Sequence, residues 1–337
     1  MKVAHVRERN GPAGDPWRLA AALDPADEPR GWIDLEVARR RLARRDPELA
    51  HNDPLFRQPL TTLDDLLARG LRVEHLRAIV DAIGPVDPGA SGDDDAVLAA
   101  ADLAFGPPVL RPPGFRDFYA FERHVATMWA RRGSEVPEAW YRLPIFYFSN
   151  TSEIRGTDEP VWAPRGSAEL DYEVEVAAIV DTPIVDTSAE DGEAAIGGYT
   201  ILADWSARDL QRDETTVRLG PAKGKDFAAS IGPWLVTPDE LADARAGKGY
   251  ALAMTATVSG TETTRGTWAD VHFSFGEMLA RASADVRVRA AEIVGSGTVG
   301  GGSLLEIREE TIGRYLEPGD EVVISVERLG RLRTPIT

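Results

Sequence analysis

The chain reads as a β-dominated α+β fold, and three observations carry that reading. From about residue 115 onward, short β-rich runs follow one another with Gly, Pro and Asp between them. Helix candidates are confined to short segments, three of them in the first hundred residues. The 337-residue length, with 43% hydrophobic and 28% charged residues, is ample for a buried core.

Taken in order, LEVARRRLARR (35–45), TTLDDLLARG (61–70) and VEHLRAIVDAIG (73–84) have helical spacing, and the last two end at glycine. DPGASGDDDA (87–96) is polar and turn-rich and predicts a loop. FGPPVLRPPGFRDF (105–118) carries four prolines and reads as an extended connector. This divides the chain into an N-terminal domain, 1–110, and a second domain, 111–337.

Beyond it, DFYAFERHVATMWARRG predicts a helix ending at Gly133. The expected strands are LPIFYF (143–148), LDYEVEVAAIV (170–180), GGYTILADW (197–205), GPWLVT (232–237), YALAMTATVSG (250–260) and EVVISVERLG (321–330). Short helices are expected at SARDLQRDE (206–214), PDELADAR (238–245) and SFGEMLARAS (274–283).

Composition narrows function. The formal net charge is −17, from 55 acidic and 38 basic residues, so phosphate backbones and anionic membranes are poor partners. The absence of cysteine excludes disulfides, a thiolate nucleophile and Cys-ligated metal sites. The start, MKVAHVRERNGPAGD, lacks the apolar stretch of a secretory signal, and no window approaches about 18 apolar residues. A cytoplasmic protein is the expectation. Only four of the basic residues are lysine, and two of those, Lys223 and Lys225, share the stretch PAKGKDF.

Five places carry candidate chemistry. In Leu170–Val176, the period of a strand puts Glu173 and Glu175 on one face, with valines on the other. Two adjacent carboxylates repel unless a cation lies between them or both are solvated, so a wet strand face explains the pattern equally. Asp204 ends an apolar strand where a helix begins; Ser206 and Asp209 resemble a capping box, and Arg208 and Gln211 share a helix face. GPAKGKDF and SIGPW offer glycines for close backbone approach and Lys225 for an oxyanion, or form a plain surface turn. His124 is the histidine best placed for chemistry, whereas His272, alternating with Val271 and Phe273, reads as structural. Glu306 lies in an apolar run after the glycine-rich Gly295–Thr298. Oxygen ligands without cysteine or clustered histidine favour a hard cation over Zn²⁺. There is no GxxxxGK[ST], HExxH or GxSxG.

In their order, DFYxFxxH, LDYEVEV, ADWSARDLQ, GKDF…GPW, GSGT, the Glu306 segment and YLEPGDEVVISVERLG resemble the fumarylacetoacetate hydrolase family over roughly residues 115–333. The resemblance implies a mixed β-sandwich/β-roll C-terminal domain with a smaller N-terminal domain, and a homodimer. It implies a metal, Mg²⁺ or Ca²⁺ with Mn²⁺ as a third candidate, held by Glu173, Glu175 and Asp204, with Asp117 added in the branch that includes fumarylacetoacetase. The five-residue spacing from Tyr119 to His124 fits that branch. By the same resemblance His124 is the base, Glu306 the acid that orients it, Lys225 a catalytic cation, and Arg208, Gln211 and Tyr147 substrate binders.

Two features depart from the branch's pattern. IFYFSN (145–150) stands where a GYHGR-like stretch is expected, and the N-terminal unit reads as helical where a small barrel is expected. The implied activity is hydrolysis of a C–C bond in a β-diketo acid of the fumarylacetoacetate or acylpyruvate type, with water attack and enolate stabilisation. The implied partner is a small dicarboxylic or keto-acid substrate. Decarboxylation or isomerisation of 2-oxo or 2-hydroxydienoate acids, as in aromatic catabolism, is the alternative on the same site.

Overall fold

The computed structural model describes residues 1–12, 14–84 and 95–337. Most of the loop expected over 87–96 lies outside the described residues; its last two, Asp95 and Ala96, form a turn.

The N-terminal unit opens with β1 (Lys2–Glu8), antiparallel to β2 (Arg18–Ala22), which pairs in turn with β3 (Gly31–Asp34). The expected helix follows as α1 (Leu35–Arg45), where the Asp34 carboxylate accepts the N–H groups of Glu36 and Val37. The short helices α2 (Pro47–Asn52), α3 (Pro54–Arg57) and α4 (Leu63–Ala68) come next. The helix expected over 73–84 is divided into a 3₁₀ turn, Val73–Leu76, and α5 (Arg77–Ile83). β4 (Val97–Ala99) pairs with β3, and β5 (Leu103–Phe105) pairs with β1. The strands are what sequence reading missed here. RLAAA and VLA are short and alanine-rich, so intrinsic preference does not announce them, and pairing with neighbours decides.

The stretch expected as one helix from Asp117 begins instead as a strand, β6 (Phe115–Phe118), and only then becomes α6 (Glu122–Arg131). Next come β7 (Phe146–Phe148), β8 (Ile154–Arg155), β9 (Leu170–Asp171), β10 (Val174–Val180), α7 (Ala189–Ala194) and β11 (Ile196–Asp204). Ser206 does not cap a helix: it pairs with Asp171 in the two-residue β12 (Ser206–Ala207), ahead of α8 (Arg208–Thr216). β13 (Ala229–Val236) follows, and the helix expected near 238 is a 3₁₀ segment, Pro238–Ala244. The remainder is β14 (Arg245–Ala246), β15 (Gly249–Tyr250), β16 (Ala253–Val258), β17 (Thr261–Thr267), α9 (Phe275–Ser283), β18 (Ile293–Gly295), α10 (Leu304–Ile307), β19 (Glu321–Val326) and β20 (Gly330–Pro335).

The main sheet runs β4-β3-β2-β1-β13-β11-β10-β18-β6-β7, and β17-β16-β19-β20 form a second sheet. β1 lies antiparallel to β13, so the main sheet crosses the boundary expected near residue 110. One face of the main sheet meets the N-terminal helices, where Leu35, Leu63 and Leu66 pack with Ala177, Ile179, Leu202 and Ile231. On the other face Val174, Val176, Ala178 and Ile201 pack with Met254, Ala256 and Ile324 of the second sheet and with Met278 and Leu279 of α9. Each such valine, leucine or isoleucine contributes about 1.5–3 kcal/mol on burial.

Candidate metal centre and active site

β10 is buried along its whole length, and Glu175 is its one charged residue. A buried carboxylate is costly unless something compensates it. The register supplies the company. Glu175 lies opposite Leu202 of β11, so Asp204, two residues further on, shares its face. Ala177, two residues beyond Glu175, lies opposite Gly295 of β18, which lies opposite Asp117 of β6. Three strands therefore aim three acids at one spot. Among the described residues Asp117, Glu175 and Asp204 form the group whose ligand atoms, all within 4.8 Å of one another, can hold a metal ion.

These acids fit a cation. Asp117 Oδ1 and Asp204 Oδ1 are buried with no hydrogen-bond partner. Burial, followed by repulsion from Asp204, pushes the Asp117 carboxyl well above the usual range; burial, followed by repulsion from Asp117, does the same to Glu175. Burial raises Asp204 too, but Lys225 pulls against it, and the carboxyl is pushed up to about 6. Gly295 makes the room: a Cβ there would lie 2.3 Å from Asp117 Oδ1. Glu175 is further held by the Gly297 N–H at 2.9 Å and the Thr298 hydroxyl at 3.4 Å.

Glu173 sits beside this group but is differently held. It lies between β9 and β10 and bridges to Ser303. Lys225 Nζ donates to its Oε2 at 2.5 Å and also to Asp204 Oδ2, and Arg208 Nη2 donates to its Oε1 at 2.9 Å. Burial opposes its charge, yet Lys225 and Arg208 outweigh burial and hold Glu173 below the usual carboxylate range. Burial likewise opposes the charge on Lys225, but Asp204 and Glu173 outweigh it and raise Lys225 above the usual lysine range. Arg208 also donates through Nε to Asp171 Oδ2 at 2.8 Å and through Nη1 to Gln211 Oε1 at 3.0 Å, so the helix-face pair expected from the sequence meets directly. The Tyr147 hydroxyl donates to Asp204 Oδ2 at 2.8 Å.

His124 comes from the first turn of α6 and Glu306 from α10. Nδ1 of His124 meets Glu306 Oε2 at 2.7 Å, with both side chains nearly inaccessible. Glu306 also accepts the Gly301 N–H at 3.1 Å and the Ser303 hydroxyl at 3.2 Å. Nε2 of His124 has no hydrogen-bond partner among the described residues, and Tyr119 packs edge-on to the ring at 5.3 Å. Ser303, which bridges to Glu173, donates its hydroxyl to Glu306, so the histidine–glutamate pair lies beside Glu173.

Residues 114–337 match the family model described as Fumarylacetoacetate (FAA) hydrolase C-terminal. The chain belongs to this family. Over 268 residues it is 30% identical to fumarylacetoacetase of Oryza sativa subsp. japonica, covering 70% of this chain and 58% of that protein. It is 27% identical over 197 residues to 2,4-didehydro-3-deoxy-L-rhamnonate hydrolase of Sphingomonas sp. (strain SKA58), covering 58% of this chain and 65% of that protein. The chain thus spans less than two thirds of the length of these relatives. Among solved structures it is similar to the fumarylacetoacetate hydrolase of psychrophilic Exiguobacterium antarcticum, with a TM-score of 0.67 at 20% identity over 100% of this chain and 99% of that one. It is also similar to 5-carboxymethyl-2-hydroxymuconate delta-isomerase from Mycobacterium smegmatis, with a TM-score of 0.63 at 18% identity over 100% and 99%. The fumarylacetoacetate hydrolase fold is thus common to all three.

The structure gathers Asp117, Glu173, Glu175, Asp204, Lys225, Arg208, Gln211 and Tyr147 in one network, with His124 and Glu306 at its border. Sequence reading missed Asp171, a fully buried carboxylate bonded to Arg208. The only signal for it was its place ahead of Tyr172 in LDYEVEV. Among the described residues, no helix is long and apolar enough to cross a membrane.

Proposed function

We propose that the protein is a metal-dependent hydrolase that cleaves a C–C bond in a β-diketo acid of the fumarylacetoacetate or acylpyruvate type. One observation carries the reading: a buried acidic triad with two unpartnered oxygens has Glu173 beside it, and Glu173 bridges to Ser303, which holds the Glu306 of a histidine–glutamate pair whose outer nitrogen has no partner among the described residues. Asp117, Glu175 and Asp204, with Glu173 beside them, would hold Mg²⁺, Ca²⁺ or Mn²⁺, and the bound cation supplies a Lewis acid for a 1,3-dicarbonyl and positive charge for the departing enolate.

The chain's own residues do the rest. Glu306 on Nδ1 fixes the tautomer of His124 that leaves Nε2 as the acceptor. Nε2 takes a proton from water, and the oxygen attacks a carbonyl carbon of the substrate. The C–C bond breaks: the hydroxyl stays on the attacked carbon, giving a carboxylic acid. The bonding pair leaves with the other fragment as an enolate, which takes up the proton. Lys225 and Arg208 offer fixed positive donors to the developing oxyanion, each worth about 3 kcal/mol. Because Gln211 accepts from Arg208 through Oε1, its amide NH₂ is left to donate.

The test is a substrate panel of fumarylacetoacetate, acylpyruvates and oxaloacetate, with products identified. Two carboxylic acids from a β-diketo acid support hydrolysis; CO₂ release or a tautomer alone would replace it with decarboxylation or isomerisation. His124→Ala should remove at least about 1,000-fold of the activity while Mg²⁺ still raises Tm. Full activity in that variant would refute the assignment of His124 as base.

A further inference from the structure

Asp171 is fully buried, and its carboxylate collects four donors. Oδ1 accepts the backbone N–H groups of Tyr172 and Leu304, each at 2.8 Å. Oδ2 accepts the N–H of Leu305 at 2.9 Å and Arg208 Nε at 2.8 Å. Leu304 and Leu305 open α10, a four-residue helix whose preceding residue, Ser303, makes no capping bond of its own. A helix this short does not hold itself in place. Asp171 therefore serves as its cap from a distant strand, satisfying two amides that nothing within the helix can satisfy.

Glu306 is the next residue along that helix, and it holds His124. The other side of the same carboxylate holds Arg208, which reaches Glu173 and Gln211. One side chain thus spans the two halves of the pocket. A plain helix cap would need only the amides; the guanidinium bond ties the cap to the substrate side.

We propose that Asp171 is a positioning residue that fixes the Glu306–His124 pair against Arg208, so that the base and the cationic donor face one substrate. Its catalytic consequence rests on the hydrolase reading; its structural consequence does not. Outer residues of this kind typically carry about 10- to 100-fold effects when altered.

The test uses the full chain with Mg²⁺ and two readouts. Proton NMR follows the Nδ1-bound proton of His124, identified by its loss in His124→Ala; kinetics follow turnover. Asp171→Asn should shift or broaden that resonance and lower kcat by about 10- to 100-fold, with the Mg²⁺-induced rise in Tm retained. Arg208→Met, which leaves the hold of Asp171 on α10 intact, should leave the resonance in place. An unmoved resonance in Asp171→Asn, or a kcat within about threefold of the parent, overturns the proposal. If Asp171→Asn does not fold, Asp171→Glu decides: its longer side chain must displace α10 and move the resonance, and an unchanged spectrum overturns the proposal. Should the parent show no hydrolysis while the resonance behaves as expected, the positioning role stands and the hydrolase reading falls.

Discussion

Glu173 and Glu175 lie two residues apart, both buried, and their surroundings oppose one another. Glu173 has a cation on each oxygen, Lys225 and Arg208. Glu175 has one backbone N–H, one hydroxyl and two further acids, Asp117 and Asp204. The first half of the site neutralises itself; the second has no cation bonded to it and can hold one. The ExE spacing made the two glutamates look equivalent. Their neighbours, brought in by β6, β11 and the Lys225 segment, make them different.

The sharpest way to break this comparison is the same conservative change at each position. Both variants should lose about 1,000-fold or more of the activity, Glu175→Gln through loss of the metal and Glu173→Gln through disorder of Lys225 and Arg208. Stability without metal should move in opposite directions. Glu175→Gln removes an ionisable group buried beside Asp117 and Asp204 with no cation bonded to it, and should stabilise the protein by about 1–2 kcal/mol at pH 8. Glu173→Gln leaves two buried cations short of a partner and should destabilise it by about 3 kcal/mol. Denaturant melts in EDTA measure both. Equal signs would mean that the two halves are electrostatically alike, against the comparison.

A pH series gives a smaller effect with a definite sign. In the metal-free protein Asp117 and Glu175 titrate well above the usual range, and Asp204 at about 6, all for burial first. A folded-state pKa raised above the unfolded value gives stability that is present below the unfolded pKa, near 4, and is lost as pH rises through the folded value. Metal-free stability should therefore fall from about pH 4 through pH 6 and beyond on account of these groups. Mg²⁺ held by this group would need the ionised carboxylates and would cancel their repulsion. The Tm gain from a fixed Mg²⁺ concentration should thus grow from pH 5 to pH 8, as scanning fluorimetry at several pH values would register. A gain that is flat or shrinks with pH would place the metal elsewhere.

How much of this was legible beforehand follows from how local each signal is. Glu173, Glu175 and Asp204 stand in compact motifs, and Arg208 and Gln211 share a helix face; spacing singled them out, and the family resemblance of those motifs implied their roles. Asp117 was read as part of a helix. Its strand forms because β18 lies parallel to it, a pairing nearly 180 residues away in sequence that no local pattern reports. Ser206 resembled a cap because serine before Asp209 suits one; strand pairing with Asp171 claimed it first. Asp209 is taken instead by the Ser167 hydroxyl at 2.6 Å and the Ala168 N–H at 2.7 Å. Asp171 itself acts through amides at positions 304 and 305, so its role is visible only once α10 is folded against it.

Asp204 is where the two halves meet, and the smallest prediction concerns it. Its Oδ2 belongs to the self-neutralised half, accepting from Lys225 and Tyr147, while its buried Oδ1 has no partner and belongs to the half that can hold a cation. Tyr147→Phe removes one donor from Oδ2 and leaves Lys225 in place. If Oδ1 is the metal-facing atom, Mg²⁺ affinity should change by less than about threefold, and the loss should appear instead as about 1 kcal/mol of metal-free stability, the ordinary worth of such a hydrogen bond. Titration calorimetry and denaturant melts on the one variant read both quantities. A tenfold or larger change in Mg²⁺ affinity with stability untouched would instead put Tyr147 on the cation's side, and the division of labour within Asp204 would have to be redrawn.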